Sequence, residues 1–244
     1  MAPEISVEGS VSKIMREQAT RFCTLIGDIG DFFHWEPERL EEELILRSES
    51  VHLQRALSFG ARPGSQAQAS LAQSLRNFSI PLHKIGLSTQ ACILDEEALA
   101  IRRECYRARP GEQRPYLADV LDGYSRHLHV TGRRDEALEA AEEAIKYWRL
   151  LYEFNPDEYS VKLAGALQEL GIGLSSMQRL EECKAAEEEA LMLWRSLYRE
   201  EPERYRSSLV NSLTNHIITM KDLGLQDESR TLYAEFCELH ALMG

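Results

Sequence analysis

The sequence has no long hydrophobic run. No apolar stretch approaches the roughly 20 residues that cross a bilayer. The first residues, Met1-Ala2-Pro3-Glu4, have neither the basic nor the apolar region of a signal peptide. The five cysteines are scattered and form no C-x-x-C pair, a pattern typical of reduced thiols. We therefore expect an intracellular, cytoplasmic protein with no membrane partner.

Basic charge is also scarce. The 244 residues include 28 Lys and Arg against 40 Asp and Glu, a formal net charge of −12. This balance argues against binding to a phosphate backbone, so we expect no nucleic-acid partner. An apolar content of 43% with 28% charged residues is that of a folded chain with a core.

Motifs for catalysis and cofactor binding are absent from the sequence. It contains no G-x-x-x-x-G-K-[ST] phosphate loop and no H-E-x-x-H zinc motif. Gly171-Ile172-Gly173 is too short for a dinucleotide fingerprint and lies in a helical pattern. No Ser or Cys nucleophile has an identifiable base. We expect a protein that is not an enzyme and that has no cofactor and no metal site.

Three polar features have simple structural interpretations. His127 and His129 are two residues apart, so they point to different sides of a helix and do not form a metal site. His216 is interpreted as a half-buried packing residue. The acidic runs at 41–43 and 187–189 are interpreted as solvated outer helix faces.

What the sequence does contain is an internal repeat of 46 residues. Trp148 and Trp194 are separated by this period, and so are the prolines at 110, 156 and 202. Two leucine series keep the same register without gaps, at positions 71, 117, 163 and 209 and at positions 75, 121, 167 and 213. Such a period indicates a solenoid of stacked units.

Each unit has the pattern of two helices. The first helix follows the proline and has core positions spaced by 4, 3 and 4 residues, which lie on one helix face. A turn then follows at Gly86, Gly132, Gln178 or Gly224. The second helix carries small residues on its inner face, which in one unit are Ala137, Ala140, Ala141 and Ala144, before Trp148 and Tyr152.

These residues predict an all-α fold, a right-handed α-solenoid of antiparallel helix pairs. We place an N-terminal helical segment at 1–66 and repeats at 67–112, 113–158, 159–204 and 205–244. Within 1–66 we expect helices near 10–29 and 37–58 and a loop at 60–64. This segment is interpreted as a degenerate capping repeat, or else as the end of an upstream domain. Its aromatic residues Phe32, Phe33 and Trp35 are interpreted as core or cap packing, with a partner anchor as the alternative.

The repeat resembles the tetratricopeptide repeat (TPR) family. The match lies in Leu167-x-x-Leu170-Gly171-x-x-Leu174 and in Gly132-x-x-x-Glu136-Ala137, followed by Ala144 and Pro156. The period is longer than the usual 34 residues or so. It is similar to that of a long TPR subtype found in multi-repeat fungal and bacterial proteins, often beside signalling NTPase modules. The resemblance implies a TPR-like superhelix that presents a surface for protein–protein interaction.

We expect a binding surface on the first helices. The residues that follow each first-helix leucine (71, 117, 163 or 209) by 2, 5, 9, 12 or 13 positions point away from its core face. We call these the groove positions, because the first helices line the concave groove of a solenoid. The candidate binding residues among them are Arg76, Ile80, Lys84, Asp122, Arg126, His129, Gln168, Ile172, Asn211 and Ile218.

Isoleucine recurs at one groove position, at residues 80, 172 and 218. This predicts contact with a bound peptide or helix whose carboxylates meet Arg76, Lys84 and Arg126. The alternative is that neighbouring helices cover the isoleucines. We therefore expect an interaction scaffold that binds a protein or peptide partner. The alternative function is a sensor or regulatory arm of a larger NTPase-type signalling assembly, which self-associates through a homodimer formed by the uncapped helix at 226–242.

Overall fold

The computed structural model describes residues 40–241, and within that range every regular element is an α-helix. The chain divides into two compact units, Met1–His127 and Leu128–Gly244. The helices, in chain order, are α1 Leu40–Ser58, α2 Gln66–Lys84, α3 Ser88–Ala108, α4 Pro110–Val130, α5 Arg134–Phe154, α6 Pro156–Ser176, α7 Leu180–Glu200, α8 Pro202–Asp222 and α9 Gln226–Ala241.

Three first helices begin at the predicted prolines. Pro110, Pro156 and Pro202 are the first residues of α4, α6 and α8. Proline suits this position because its fixed φ is helical and its missing N–H would have no partner there. The residues before these prolines have φ between −146° and −132°, so α3, α5 and α7 end just before them.

Each turn inside a helix pair contains a residue in the left-handed backbone conformation. Gly86, Gly132 and Gly224 have φ of 83°, 81° and 77°, and Gln178 has φ of 60° at the equivalent position. In each turn the next residue donates its N–H to a carbonyl five residues back, as Leu87 does to Leu82 at 2.9 Å. This is the Schellman helix ending, which favours glycine because a Cβ is strained at positive φ.

The core consists of the predicted leucine series and the small residues that face it. All eight leucines of the two series are buried. Ala137, Ala140, Ala141 and Ala144 are buried along α5, and Trp148 is buried near its end. Within the second unit each helix packs on the next from α5 to α9, and α6 also contacts α8. In the first unit α2 packs between α1 and α3.

The N-terminal predictions can be compared with the structure from residue 40 onwards, and there they agree with it. Helix α1 falls inside the range predicted as 37–58, and residues 59–65 connect it to α2 as predicted. The helix predicted near 10–29 and the residues Phe32, Phe33 and Trp35 lie outside the described residues. Within the described residues no helix is long and apolar enough to cross a bilayer.

The two acidic runs are not wholly solvated, so that interpretation was wrong for one residue in each. Glu43 is buried in α1, where Arg47 lies one turn away and donates to it at 3.5 Å. Glu187 is buried in α7 and bonds to a histidine of α8. A run of three charges on a helix necessarily covers about 200°, so one member reaches the packed face.

Candidate functional site

In the first unit, Arg76 is buried. The residue is only 6% exposed, because its guanidinium folds over Gly123 of α4. Its Nε lies 3.3 Å from both the carboxylate and the carbonyl oxygen of Asp119, and Nη1 donates to Ser79 at 3.4 Å. Arg76 is enclosed because Gly123 has no side chain, which leaves room for the guanidinium. Its contact Asp119 is itself a groove position, and the binding of a partner by Arg76 stays a prediction.

The other charged groove positions of this unit lie nearer the surface. Arg126 donates to Asp122 at 3.4 Å, and both side chains are half-buried. Lys84 is exposed at the end of α2, and Ile80 is half-buried one turn before it. The charged groups on this part of the surface are therefore the Arg126–Asp122 ion pair and Lys84 at the end of α2.

In the second unit most of the groove positions are uncharged residues. Ile172 of α6 is 41% exposed, and Ile218 of α8, at the same repeat position, is 50% exposed. Gln168 is half-buried, Asn211 is exposed, and His129 is half-buried at the end of α4. A Cβ added at Gly165 would have no heavy atom within 4 Å, so the surface there is open. The alternative that neighbouring helices cover the isoleucines does not hold for Ile172 and Ile218.

Sequence reasoning missed a pair of buried acid–histidine contacts, one in each unit. His127 Nδ1 lies 2.7 Å from Asp95 Oδ2, and His216 Nδ1 lies 3.2 Å from Glu187 Oε2. All four residues are buried, so His216 is more enclosed than the half-buried residue we expected. The signal was present in the sequence, because Asp95 and Glu187 occupy the repeat position at which the unit between them has Ala141.

A second histidine lies beside the pair in the first unit. The ring of His83 is 4.4 Å from that of His127, and its Nδ1 is 3.1 Å from Ser88 Oγ. Burial lowers the pKa of His83 below its ordinary value of 6.5, and the nearby His127 and Arg126 lower it further, against the opposing effect of Asp95. His83 is therefore neutral at pH 7.

The histidine contacts join neighbouring helices and are enclosed by protein. His127 of α4 bonds to α3, and His216 of α8 bonds to α7. Among the described residues, no group of three or more His, Cys, Asp or Glu side chains is arranged to hold a metal ion. The thiol of Cys183 lies close to Thr219, and burial raises its pKa to about 11, so it is protonated at neutral pH. These groups connect helices, whereas groove positions such as Ile172 and Ile218 are exposed.

No protein-family profile matches the chain, and no curated protein matches it. Solved structures do match. A putative kinesin light chain from Podospora anserina, with nearly identical TPR-like repeats, has 16% identity and a TM-score of 0.69 over 90% of this chain and 95% of that one. BtubC (BKLC) from P. vanneervenii has 15% identity and a TM-score of 0.66 over 93% and 92%. The apo form of RapI has 11% identity and a TM-score of 0.67 over 91% and 71%.

These similarities establish the class of fold. The chain is an all-α protein with the TPR-like helical repeat fold, as the sequence predicted. Identities of 11–16% show the fold alone. Function must therefore be argued from the chain's own residues.

Proposed function

We propose that this protein is a non-enzymatic scaffold that binds a protein partner, as a peptide or a helix, on the groove positions of its first helices. The observation that carries the proposal is the exposure of Ile172 and Ile218 at one repeat position of α6 and α8. Large apolar side chains that recur at an exposed position favour contact with another molecule. The TPR-like fold supports the proposal, because stacked helix pairs present an extended surface.

The surroundings of the two isoleucines indicate what the partner segment contains. The groove positions that precede them are Gly165 and Gln168 on α6 and Asn211 and Thr214 on α8, all uncharged, whereas the charged Lys221 and Asp222 follow Ile218. Apolar side chains of the partner would pack on the isoleucines, and its polar groups would bond to the amides of Gln168 and Asn211. On the first unit taken by itself, a bound segment would meet Lys84 and the Arg126–Asp122 pair.

A selection from random peptides displayed on phage tests this proposal. The full chain is immobilised beside an Ile172→Asp, Ile218→Asp double variant. The control variant is Met192→Asp, which changes an exposed apolar residue on α7, a second helix. We expect peptides enriched on the wild type to bind the control equally and to lose at least about tenfold in affinity on the double variant.

Two results would contradict the proposal. Selected peptides that bind the double variant as well as the wild type would place the binding surface elsewhere. No enrichment over an uncoated support would argue against a peptide-binding scaffold altogether. Circular dichroism of each variant confirms that it is folded.

The second candidate function is a regulatory arm of a larger signalling assembly that self-associates through α9. One observation favours it: Tyr233 is exposed on α9, and its ring stacks on Phe236 with centroids 5.9 Å apart. Self-association through this surface would produce a cytoplasmic homodimer. In sedimentation velocity we expect a dimer that Tyr233→Lys dissociates and Met192→Lys does not. A wild type that stays monomeric at 100 μM or so would exclude this candidate.

A further inference from the structure

Arg102 of α3 occupies the repeat position that Trp148 holds in α5 and Trp194 holds in α7. Both tryptophans are buried, and each packs on a tyrosine of the next helix with ring centroids 6.1 Å apart. Arg102 is buried to the same degree, at 3% exposure, although it carries a charge. One repeat therefore has a guanidinium where the next two have an indole.

The partners of this guanidinium are neutral. Nη1 donates to Gln113 Oε1 at 3.2 Å, and Nη2 donates to Gln73 Oε1 at 2.7 Å. The ring of Tyr116 stacks on the group, with its centroid 4.8 Å from Cζ. Nε is buried and has no hydrogen-bond partner among the described residues. Burial in these surroundings lowers the pKa of Arg102.

Acidic partners of Arg102 are scarce within the described residues. No carboxylate of residues 40–241 forms an ion pair with it, and the acid that acts on it from a distance is Asp119. Asp119 is already 3.3 Å from the buried Arg76. Within residues 40–241, these two buried guanidiniums thus have one carboxylate near them. An incompletely paired buried charge is unfavourable, and proteins retain such features mostly where function requires them.

We propose that Arg102, with Gln73, Gln113 and Tyr116, forms a binding site for a small oxyanion that carries a phosphate or carboxylate group. Nε and one Nη of Arg102 would donate a pair of parallel hydrogen bonds to two anion oxygens. The amides of Gln73 and Gln113 would rotate to present their N–H groups. Tyr116 is 48% exposed, so rotation of its side chain would open the cluster to solvent. The bound anion would give Arg102 a negatively charged partner.

To test the site, the melting temperature of the full chain is measured in sodium phosphate and in sodium acetate. Sodium chloride is added so that all samples have the same ionic strength. The test variant is Arg102→Trp with Gln113→Tyr, which copies Trp148 and Tyr159. The control is Arg107→Met, which removes the same charge from an exposed position of α3. We expect the active anion to raise the melting temperature of wild type and control by about 3 °C at tenfold over Kd, and to leave the double variant unchanged.

The two anions distinguish the ligand groups. A response to phosphate alone assigns a phosphate group, and a response to acetate alone assigns a carboxylate. Equal responses in the wild type and the double variant would overturn the proposal, as would no response to either anion. If the double variant does not fold, calorimetric titration of the active anion into Arg102→Lys decides. We expect binding about tenfold weaker than in the wild type, because lysine cannot donate the paired hydrogen bonds. An unchanged Kd would overturn the site.

Discussion

Two glycines of α6 differ in what surrounds them. A Cβ built on Gly171 would lie 2.9 Å from Cγ of the buried Glu187, whereas a Cβ on Gly165 would meet nothing within 4 Å. Both glycines are in the interior of the same helix. Alanine gains helix propensity at either position, so only the space beside Gly171 should make the two substitutions differ.

We predict opposite effects for alanine at the two positions. Gly171→Ala should lower the free energy of unfolding by about 1–2 kcal/mol, because Glu187 must move and weaken its bond to His216. Gly165→Ala should raise it by about 0.5–1 kcal/mol. Urea denaturation at 25 °C measures both. If Gly171→Ala proved as stabilising as Gly165→Ala, the contact with Glu187 would not restrict this position.

Single residues also show where sequence reasoning works. The leucine series could be predicted because each residue repeats an apolar pattern that has one structural solution, the packed face of a helix. The burial of Arg76 could not be predicted from its own helix. It depends on Gly123, which is 47 positions away in sequence and lies directly beneath the guanidinium. Helix geometry gives the direction of a side chain, but long side chains bend towards whatever space a neighbouring helix leaves.

At the scale of helices, two buried acid–histidine contacts join a second helix to the first helix that follows it, α3 to α4 and α7 to α8. Glu187 on α7 and His216 on α8 are 29 residues apart, as are Ala141 and Leu170 one repeat earlier. The same two positions thus hold a polar pair in one repeat and an apolar pair in another. Both pairs are suited to the interior, because the polar residues bond to each other and the apolar residues need no bond. A mixed pair would leave a buried polar group without its partner.

We predict strong coupling between these two positions. Glu187→Ala and His216→Leu should each lower the free energy of unfolding by about 2–4 kcal/mol, since each leaves a buried partner unsatisfied. The double variant, which copies Ala141 and Leu170, should lose about 1–3 kcal/mol less than the two single effects added together. Urea denaturation of all four proteins gives this coupling energy. Simple additivity would show that the 3.2 Å contact contributes nothing to stability.

The helix boundaries follow from local sequence alone. Prolines fix the first residues of α4, α6 and α8, and glycines close three of the turns. Gln178 shows that position matters more than residue type, because the same turn forms there at φ of 60° without glycine. The interactions that a turn needs come from residues a few positions away. Such features are therefore predictable without knowledge of the tertiary structure.

At the scale of the whole molecule, we expect stability to depend on pH through His83. Burial lowers the pKa of His83, and the nearby His127 lowers it further. In the unfolded chain it titrates near its ordinary value of 6.5. As the pH falls through that value the unfolded chain binds the proton more readily, so protonation of His83 favours unfolding.

We predict that this contribution is visible as a pH-dependent difference between two proteins. The wild type should lose stability relative to His83→Gln as the pH falls from about 7.5 to about 5.5. Glutamine cannot be protonated in this range, and it can still bond to Ser88. Thermal unfolding of both proteins across the range measures the difference. A difference that does not change with pH would mean that the His83 pKa is the same in the folded and unfolded chains.

The sequence by itself determined the all-α fold, the repeat register and most helix ends, because these depend on local periodicity and on the backbone preferences of proline and glycine. It also placed Ile172 and Ile218 at groove positions of the first helices, where both are exposed. Only the tertiary structure decided that Arg76 is enclosed, that Glu187 and His216 form a pair, and that no carboxylate within residues 40–241 pairs with Arg102. Each of these depends on side chains from different helices, and the space and charge that one helix presents to another arise only when the chain is packed.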